Sequence, residues 1–146
     1  MRPLTLLACL ALAACAPARR APEVEYFPVP GDRRLPFSEA VRVGDLLILS
    51  GALGTDSSGA VVPGGIGPET RQALLNIQAT LERHGSSLDR VVKCTAMLAD
   101  MREWGAMNEV YVTFFPKHLP ARSAFGATAL ALGARLELEC LALVGE

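Results

Sequence analysis

The sequence predicts a two-layer α+β domain in which one sheet carries two helices on one of its faces. Three observations indicate this class: short runs rich in β-forming residues, two segments whose apolar residues recur at helical spacing, and glycines and prolines between them. The predicted order is β-β-α-β-α-β-β, without an internal repeat. The sheet face away from the helices needs a cover, and association with further copies is the simplest way to supply it.

The first two predicted strands form a hairpin. Residues 40–43 and 46–49 are apolar runs on either side of Gly44 and Asp45. Glycine tolerates the positive φ that such a two-residue turn needs. The following stretch, residues 54–67, is rich in glycine and is predicted to be a loop.

A helix and a third strand follow this loop. Pro68 suits the first turn of a helix, and Gly85 predicts its end. Between them, one apolar face repeats at spacings of three and four, through Ala73, Leu74, Ile77 and Leu81. Residues 91–98 are rich in β-forming residues and predict the third strand.

The rest of the chain predicts one more helix and two more strands. Residues 102–115 carry aromatic and apolar side chains at helical spacing, and Pro116 ends the segment. Residues 123–130 and 135–144 are the last two predicted strands, and the second of them alternates apolar and polar residues. These elements complete the α+β order.

Composition limits the range of functions. A chain of 146 residues suffices for one domain with its own core. Fourteen basic residues stand against 15 acidic ones, giving a net charge of −1. This balance argues against binding nucleic acid through a general basic field. The sequence also lacks a CxxC pair or a His/Cys cluster, so it predicts no metal site.

The N-terminus predicts export. Arg2 gives a short positive start, and residues 4–14 form an uncharged apolar run that is too short for a transmembrane helix. The run ends in Leu-Ala-Ala before Cys15. This ending resembles the bacterial lipobox, in which the cysteine is diacylated and becomes the first residue of the mature protein. A plain signal peptide cleaved nearby is the alternative.

The segment after Cys15 is predicted to be a tether. Residues 16–30 contain four prolines and a pair of arginines, a composition that favours extended, solvated backbone. The predicted organisation is a signal peptide over 1–14, an acylated N-terminus and linker over 15–34, and one domain over 35–146. The expected location is the bacterial envelope or periplasm, with membrane attachment through Cys15.

Two cysteines, Cys94 and Cys140, lie inside the predicted domain, each in an apolar, strand-like run. A disulfide between them is permitted outside the cytoplasm. Buried free cysteine that packs as a small apolar residue is the more frequent outcome. The sequence therefore favours two free thiols and leaves the disulfide open.

Four short patches along the domain occur in a specific order. They are Leu-Pro-Phe-Ser-Glu-Ala-Val at 35–41 with Gly44 and Leu-Ser-Gly at 49–51, then residues 72–76, then Asn-Glu-Val-Tyr-Val-Thr-Phe-Phe at 108–115, then Pro-Ala-Arg-Ser at 120–123 with Glu137 fifteen residues after the arginine. Together they resemble the RidA (YjgF-type) imine deaminase family over residues 35–144.

The resemblance implies a chorismate-mutase-like fold assembled as a homotrimer, with active sites in clefts between neighbouring subunits. It implies hydrolysis of 2-imino and enamine acids to 2-keto acids and ammonia. The implied ligand is a small imino or keto acid, and the family needs neither a cofactor nor a metal.

Arg122 and Glu137 are the candidate catalytic residues. A 2-imino acid carries a carboxylate beside its C=N carbon, and the parallel N–H donors of arginine bind a carboxylate bidentately. A carboxylate side chain can orient the attacking water and carry its proton, the role that the resemblance gives to Glu137. The predicted substrate-binding residues are Phe37, Ser50, Gly51, Asn108 and Ala124.

Each of these residues also has a structural interpretation. An arginine at the start of a strand is often solvated or ion-paired. Glu137 alternates with apolar neighbours and can simply face solvent from a half-buried strand. Asn108 fits an ordinary helix surface equally well, and Trp104 with the other helix aromatics fits the core or a subunit contact.

Two positions depart from the family pattern. Phe37 stands where the best-studied members carry tyrosine, and Ala124 stands where they often carry cysteine. Both replacements keep an apolar lining and remove a polar or reactive group. A non-catalytic module that binds small carboxylates is therefore the alternative function. RNA cleavage, proposed for some family members, conflicts with the export signal and the charge.

Overall fold

The computed structural model of the protein describes residues 21–31 and 35–145. The predicted signal peptide and Cys15 lie outside the described residues. The elements are β1 (Val24–Pro28), β2 (Ser38–Val43), β3 (Leu46–Leu49), β4 (Ala52–Leu53), α1 (Ile66–Arg83), β5 (Val91–Leu98), α2 (Trp104–Tyr111), β6 (Ala121–Gly126) and β7 (Leu136–Leu143).

One mixed sheet contains all of these strands, in the order β1-β2-β3-β7-β5-β6, with the short β4 also paired to β7. Only β5 and β6 run parallel, and the remaining pairs are antiparallel. Along β7 the residues Leu136, Leu138, Cys140 and Ala142 are buried, whereas their alternating neighbours are not. One face of the sheet is therefore covered, and the other is open.

Both helices lie on the covered face. Leu74, Ile77 and Leu81 of α1 are fully buried, and α2 contributes Met107 and Tyr111 to the same core cluster. The predicted α+β class, a mixed sheet with two helices, is confirmed. Within residues 21–31 and 35–145, no helix combines the length and apolar character needed to cross a bilayer.

The hairpin and the first helix are confirmed. Gly44 adopts φ 58° between β2 and β3, which pair antiparallel as predicted. The helix α1 begins at Ile66, includes Pro68 in its first turn, and ends before Gly85, whose φ is 74°. The third predicted strand coincides with β5.

The prediction of a solvated tether over residues 16–30 is wrong for β1. Val24 to Pro28 pairs antiparallel with β2 as an edge strand, so the folded unit begins before residue 35. Pro28 is tolerated as the last residue of this strand, because an edge strand does not need every N–H for pairing. The ring of Phe27 stacks on His84 with centroids 4.2 Å apart, and His84 in turn lies 3.0 Å from the Glu39 carboxylate in β2.

The second helix is shorter than predicted. Short 3-10 turns, Met101–Glu103 and Val112–Phe114, flank α2, and the Asp100 carboxylate accepts the Arg102 backbone N–H at 2.9 Å. Breaking the 102–115 segment into three pieces shortens the regular helix to eight residues. The position of the helix agrees with the prediction, and Tyr111 is its buried aromatic residue.

The strand predicted over 123–130 is wrong beyond Gly126. The backbone N–H of Ala127 turns back to the Leu98 carbonyl at 2.8 Å, which ends the pairing of β6 with β5. A 3-10 turn follows, in which Leu132 adopts φ 59°. The strand itself begins earlier than predicted, at Ala121, so Arg122 lies within it.

The preference for two free cysteines is also wrong. Cys94 and Cys140 form a disulfide between β5 and β7, where the antiparallel register places them directly opposite each other. Both point into the core and are 0% and 1% exposed. The disulfide thus joins β5 to β7. Because β6 pairs with β5, this link also helps to fix the distance between the candidate site residues on β6 and those on β7.

Candidate active site

Arg122 lies at the edge of the sheet, and its side chain reaches back to α2. Its guanidinium carbon stands 4.5 Å from the centroid of the Tyr111 ring, and Nη1 lies 3.8 Å from the sulfur of Met107. A cation over an aromatic ring is held by the ring's negative face. Among the described residues, Arg122 forms no salt bridge. Its parallel N–H donors are therefore available to an external anion.

An open cleft of about 330 Å³ surrounds this guanidinium. Its walls are mainly apolar, formed by Trp104, Val112, Leu119 and Pro120, with Asn108, Tyr111 and Arg122 as the polar members. Arg122 is the one charged residue of this lining. A cleft with apolar walls and a single fixed cation suits a small organic carboxylate.

Two buried polar atoms lie in the wall of the cleft. The Oδ1 of Asn108 and the hydroxyl of Tyr111 make no hydrogen bond to other described residues. Burial raises the pKa of Tyr111 to about 12, and the nearby charge of Arg122 only partly opposes this. The hydroxyl therefore stays protonated at neutral pH. Buried polar atoms are normally paired, so these two are exceptions among the residues that line the cleft.

Glu137 belongs to a second group of predicted residues. Its carboxylate lies against the backbone of Gly51, so closely that a methyl group at Gly51 would collide with Oε1. The neighbouring Ser50 donates its hydroxyl to the Ser38 carbonyl at 2.6 Å, which ties this turn to β2. The approach of Glu137 thus requires a residue without a side chain at position 51.

The two groups lie on opposite faces of the sheet. Arg122 points toward α2 on the covered face, whereas Glu137 alternates with the buried Leu136 and Leu138 and leaves β7 on the open face. The strand β5 also separates β6 from β7. One copy of the chain therefore brings Arg122 together with Asn108, and Glu137 together with Gly51, but it does not bring Arg122 and Glu137 together.

Two predicted residues lie outside both groups. Ala124 shares a strand with Arg122 and packs against the core, and it is not part of the cleft lining. Phe37 precedes β2 with 52% of its surface exposed. Within the described residues, no group of three or more His, Cys, Asp or Glu side chains could hold a metal ion.

The interpretation of the helix aromatics as core or subunit contact missed their part in the cleft. Trp104, Asn108 and Tyr111 lie at positions i, i+4 and i+7 of α2, and so share one helix face. That spacing is visible in the sequence. The spacing alone indicates that Trp104 and Tyr111 lie beside Asn108 on one helix face, which is the signal for a wall of the site.

Fold and site together define a class of protein, a small α+β domain with a mainly apolar cleft that contains a single arginine at the edge of its sheet. A family model described as Endoribonuclease L-PSP matches residues 31–144. A mouse protein named 2-iminobutanoate/2-iminopropanoate deaminase is 45% identical over 111 residues, covering 75% of this chain and 82% of its own. The human protein of that name is 40% identical over 111 residues, covering 75% and 81%.

Solved structures agree with the sequence relatives. The crystal structure of RidA from the Antarctic bacterium Psychrobacter is 31% identical and matches with a TM-score of 0.73, covering 86% of this chain and all of its own. The YjgF gene product from E. coli is 28% identical with a TM-score of 0.71, covering 76% and 90%. The chain belongs to the RidA (YjgF) family, as the sequence motifs predicted.

Proposed function

We propose that this protein hydrolyses reactive 2-imino and enamine acids to 2-keto acids and ammonia. The observation that carries the proposal is Arg122, a half-buried guanidinium that has no salt-bridge partner among the described residues and lies in an otherwise apolar cleft. Partial burial weakens the hydration of this cation, and a small carboxylate restores a partner for it. The names of the mouse and human relatives favour an imino acid among the small carboxylates.

The reaction follows from what these groups can do. Arg122 binds the substrate carboxylate and fixes the adjacent C=N carbon in the cleft. A water oxygen attacks that carbon while the nitrogen gains a proton, which gives a tetrahedral carbinolamine. Transfer of a second proton to the nitrogen and loss of ammonia then leave the 2-keto acid. Glu137 takes the proton of the attacking water and returns it to the leaving nitrogen.

This mechanism requires two copies of the chain. Arg122 and Glu137 leave the sheet on opposite faces, so a complete site combines Arg122 and Asn108 of one copy with Glu137 and Gly51 of the next. A contact between two different surfaces forms a ring of identical subunits when its rotation closes. The open face of the sheet provides the surface for such a ring, and the family resemblance favours a homotrimer.

The remaining predicted residues complete the proposed site. The Ser50 hydroxyl is already bonded to the Ser38 carbonyl, so this residue contributes by holding the turn. Gly51 contributes its backbone N–H as a donor to the substrate. Asn108 offers its unpaired Oδ1. Phe37 and Ala124 lie outside both groups in one copy and carry no reactive group.

The coupled reaction of an amino-acid oxidase with catalase tests this function. The oxidase releases 2-imino acids, and the rate at which 2-keto acids appear is measured with and without the protein. We expect the protein to accelerate hydrolysis at substoichiometric concentration. Rates equal to the uncatalysed rate across several amino acids would reject the proposal.

A binding module without turnover is the second candidate, and Phe37 favours it because the position lacks a hydroxyl. Both candidates predict that a 2-keto acid binds in the cleft, which titration calorimetry measures. Only the enzyme shortens the lifetime of the imine. Binding without any acceleration would therefore select the module.

Gly51→Ala is expected to lower kcat at least about tenfold, because the new methyl group must displace the Glu137 carboxylate by roughly an ångström or more. Gly67→Ala is the matched control, since a methyl group there meets only Val110 at 3.9 Å. Steady-state kinetics on both variants make the comparison. Unchanged kcat in a folded Gly51→Ala protein would show that Glu137 can move without consequence.

We also propose that the protein is exported and anchored to a membrane of the bacterial envelope through Cys15. The charged start, the apolar run and the small residues before Cys15 support this. The Cys94–Cys140 disulfide supports an oxidising compartment as well, because disulfides persist there and are rare in the cytosol.

Cys15→Ser is expected to release the protein from the membrane fraction, because the acyl chains that anchor it are attached at that sulfur. Fractionation of cells that express the full chain, followed by immunoblotting, measures the distribution. Wild-type protein should sediment with membranes. A serine variant that still sediments would contradict the anchor.

A further inference from the structure

We infer that the apolar wall around Trp104 makes this site selective for 2-imino acids with large apolar side chains. The inference rests on the proposed function, because it assigns a substrate class to the same cleft. Trp104 is the specificity-determining residue. Small or polar imino acids are then the poorer substrates.

The wall is large and exposed. Trp104, Val112 and Leu119 are 44%, 48% and 66% exposed, and all three line the cleft that contains Arg122. Large apolar residues seldom cluster on a surface without a partner. Because the first turn of α2 and the loop before β6 both contribute, the wall is a concave surface rather than a single protruding side chain.

The position of the cation decides what can occupy this wall. A 2-imino acid bound through its carboxylate at Arg122 has its reacting carbon one bond away, and its side chain one bond further. Within one copy, the surfaces that line the cleft beside Arg122 are Asn108, Tyr111 and the apolar wall. The proposed site adds Glu137 of the next copy, which is engaged with the attacking water, so a charged or hydroxylated substrate side chain finds no free charged partner along the wall. An alkyl or aromatic side chain buries apolar area against the indole of Trp104.

A second copy of the chain is the other possible occupant of the wall. The proposed trimer brings a neighbouring subunit to Arg122, and that subunit could cover Trp104 instead of the substrate. The two occupants have different consequences. If a neighbouring copy covers Trp104, removing the indole weakens assembly; if the substrate covers it, removing the indole changes selectivity and leaves assembly intact.

The test compares wild type, Trp104→Ala and Trp104→Phe on 2-imino acids whose side chains are methyl, isobutyl and benzyl. Leu75→Ala is the matched control, because Leu75 is 43% exposed on α1 and lies outside the cleft. We expect Trp104→Ala to lose roughly tenfold or more in kcat/KM for isobutyl and benzyl, and to change less than about twofold for methyl. Trp104→Phe should retain most of the preference for the isobutyl and benzyl substrates over the methyl one. Leu75→Ala should retain all of this preference.

Two results would overturn the inference. One is an equal loss for all three substrates with Trp104→Ala. The other is a lower mass of the assembly in that variant, measured by light scattering, which would assign the wall to a subunit contact. Calorimetry with the matching 2-keto acids separates this inference from the proposed function. One outcome is a wild type that shows no turnover and still binds the benzyl keto acid more tightly than the methyl one. If Trp104→Ala removes this difference in affinity, the inferred selectivity stands and only the catalytic function is rejected.

Discussion

Replacing Arg122 with alanine is expected to lower kcat/KM for 2-imino acids by at least about 100-fold. The guanidinium is the one charged group in the cleft lining, and the substitution removes two charge-assisted hydrogen bonds to the substrate carboxylate. Each is worth roughly 1.5–3 kcal/mol, and about 1.4 kcal/mol corresponds to a factor of ten in rate. Both constants should change: KM rises because the anchor is lost, and kcat falls because the C=N carbon is no longer held in place.

Arg122→Lys is the control for geometry. Lysine keeps the positive charge but offers a single point donor in place of two parallel ones, so we expect activity between wild type and the alanine variant. The contact of Arg122 with Tyr111 contributes on the order of 0.5–1 kcal/mol to stability, so both variants should remain folded and melt only a few degrees lower. Wild-type kcat/KM in a folded Arg122→Ala protein would remove the basis of the proposed function.

The helix α1 and the strand β7 could be predicted because one face of each is buried. The apolar spacing through Leu74, Ile77 and Leu81 corresponds to the buried side of α1. The alternation of Leu136 and Leu138 with glutamates corresponds to the covered and open faces of β7. In both cases a local pattern indicates the element. When one side of a helix or strand is buried, its apolar residues recur in the sequence with the period of that element.

The strand β1 could not be predicted in the same way. Its residues lie between prolines, and locally this composition favours solvated backbone. What makes β1 a strand is pairing with β2 and the stacking of Phe27 on His84, about 57 residues further along the chain. Such contacts depend on the tertiary arrangement, which a window of sequence does not contain.

The disulfide raises a similar difficulty. Cys94 and Cys140 are 46 residues apart, and their pairing depends on the register between β5 and β7. A shift of one residue would turn one cysteine to the open face of the sheet. Burial predicted for each cysteine separately is correct, but burial alone fits a free thiol as well as a disulfide.

The motifs nominate candidate site residues, but they do not predict which of these residues lie together. Phe37 and Ala124 lie outside the cleft, whereas Trp104 and Tyr111 line it. The motif Pro-Ala-Arg-Ser identified Arg122, and the sequence spacing identified Glu137. Their separation onto two faces of the sheet depends on which face α2 covers and on β5 lying between β6 and β7. This arrangement makes the cooperation of Arg122 and Glu137 a question about neighbouring copies, which mixed assemblies can answer.

Assemblies that combine Arg122→Ala subunits with Glu137→Gln subunits are expected to regain activity that neither variant has alone. Glu137→Gln keeps the shape that packs against Gly51 and removes the proton-carrying group, so we expect a loss of roughly 100-fold or more in kcat. In a mixed ring, a site formed by an intact Arg122 of one copy and an intact Glu137 of the next is complete. With random mixing in a closed ring of identical subunits, about a quarter of the sites are of this kind.

The experiment uses two affinity tags, one on each variant, and sequential purification to isolate assemblies that contain both. Their keto-acid formation per subunit is compared with that of each pure variant and of wild type carrying both tags. Each purified mixed trimer contains one complete site among its three, so recovery to roughly a third of wild type supports a site shared between copies, because no single subunit in the mixture has both residues. Verified mixed assemblies that stay as inactive as the pure variants would mean that Arg122 and Glu137 must act within one copy. Because the two side chains leave opposite faces of the sheet in one copy, that result would overturn the proposed mechanism in which neighbouring copies share a site.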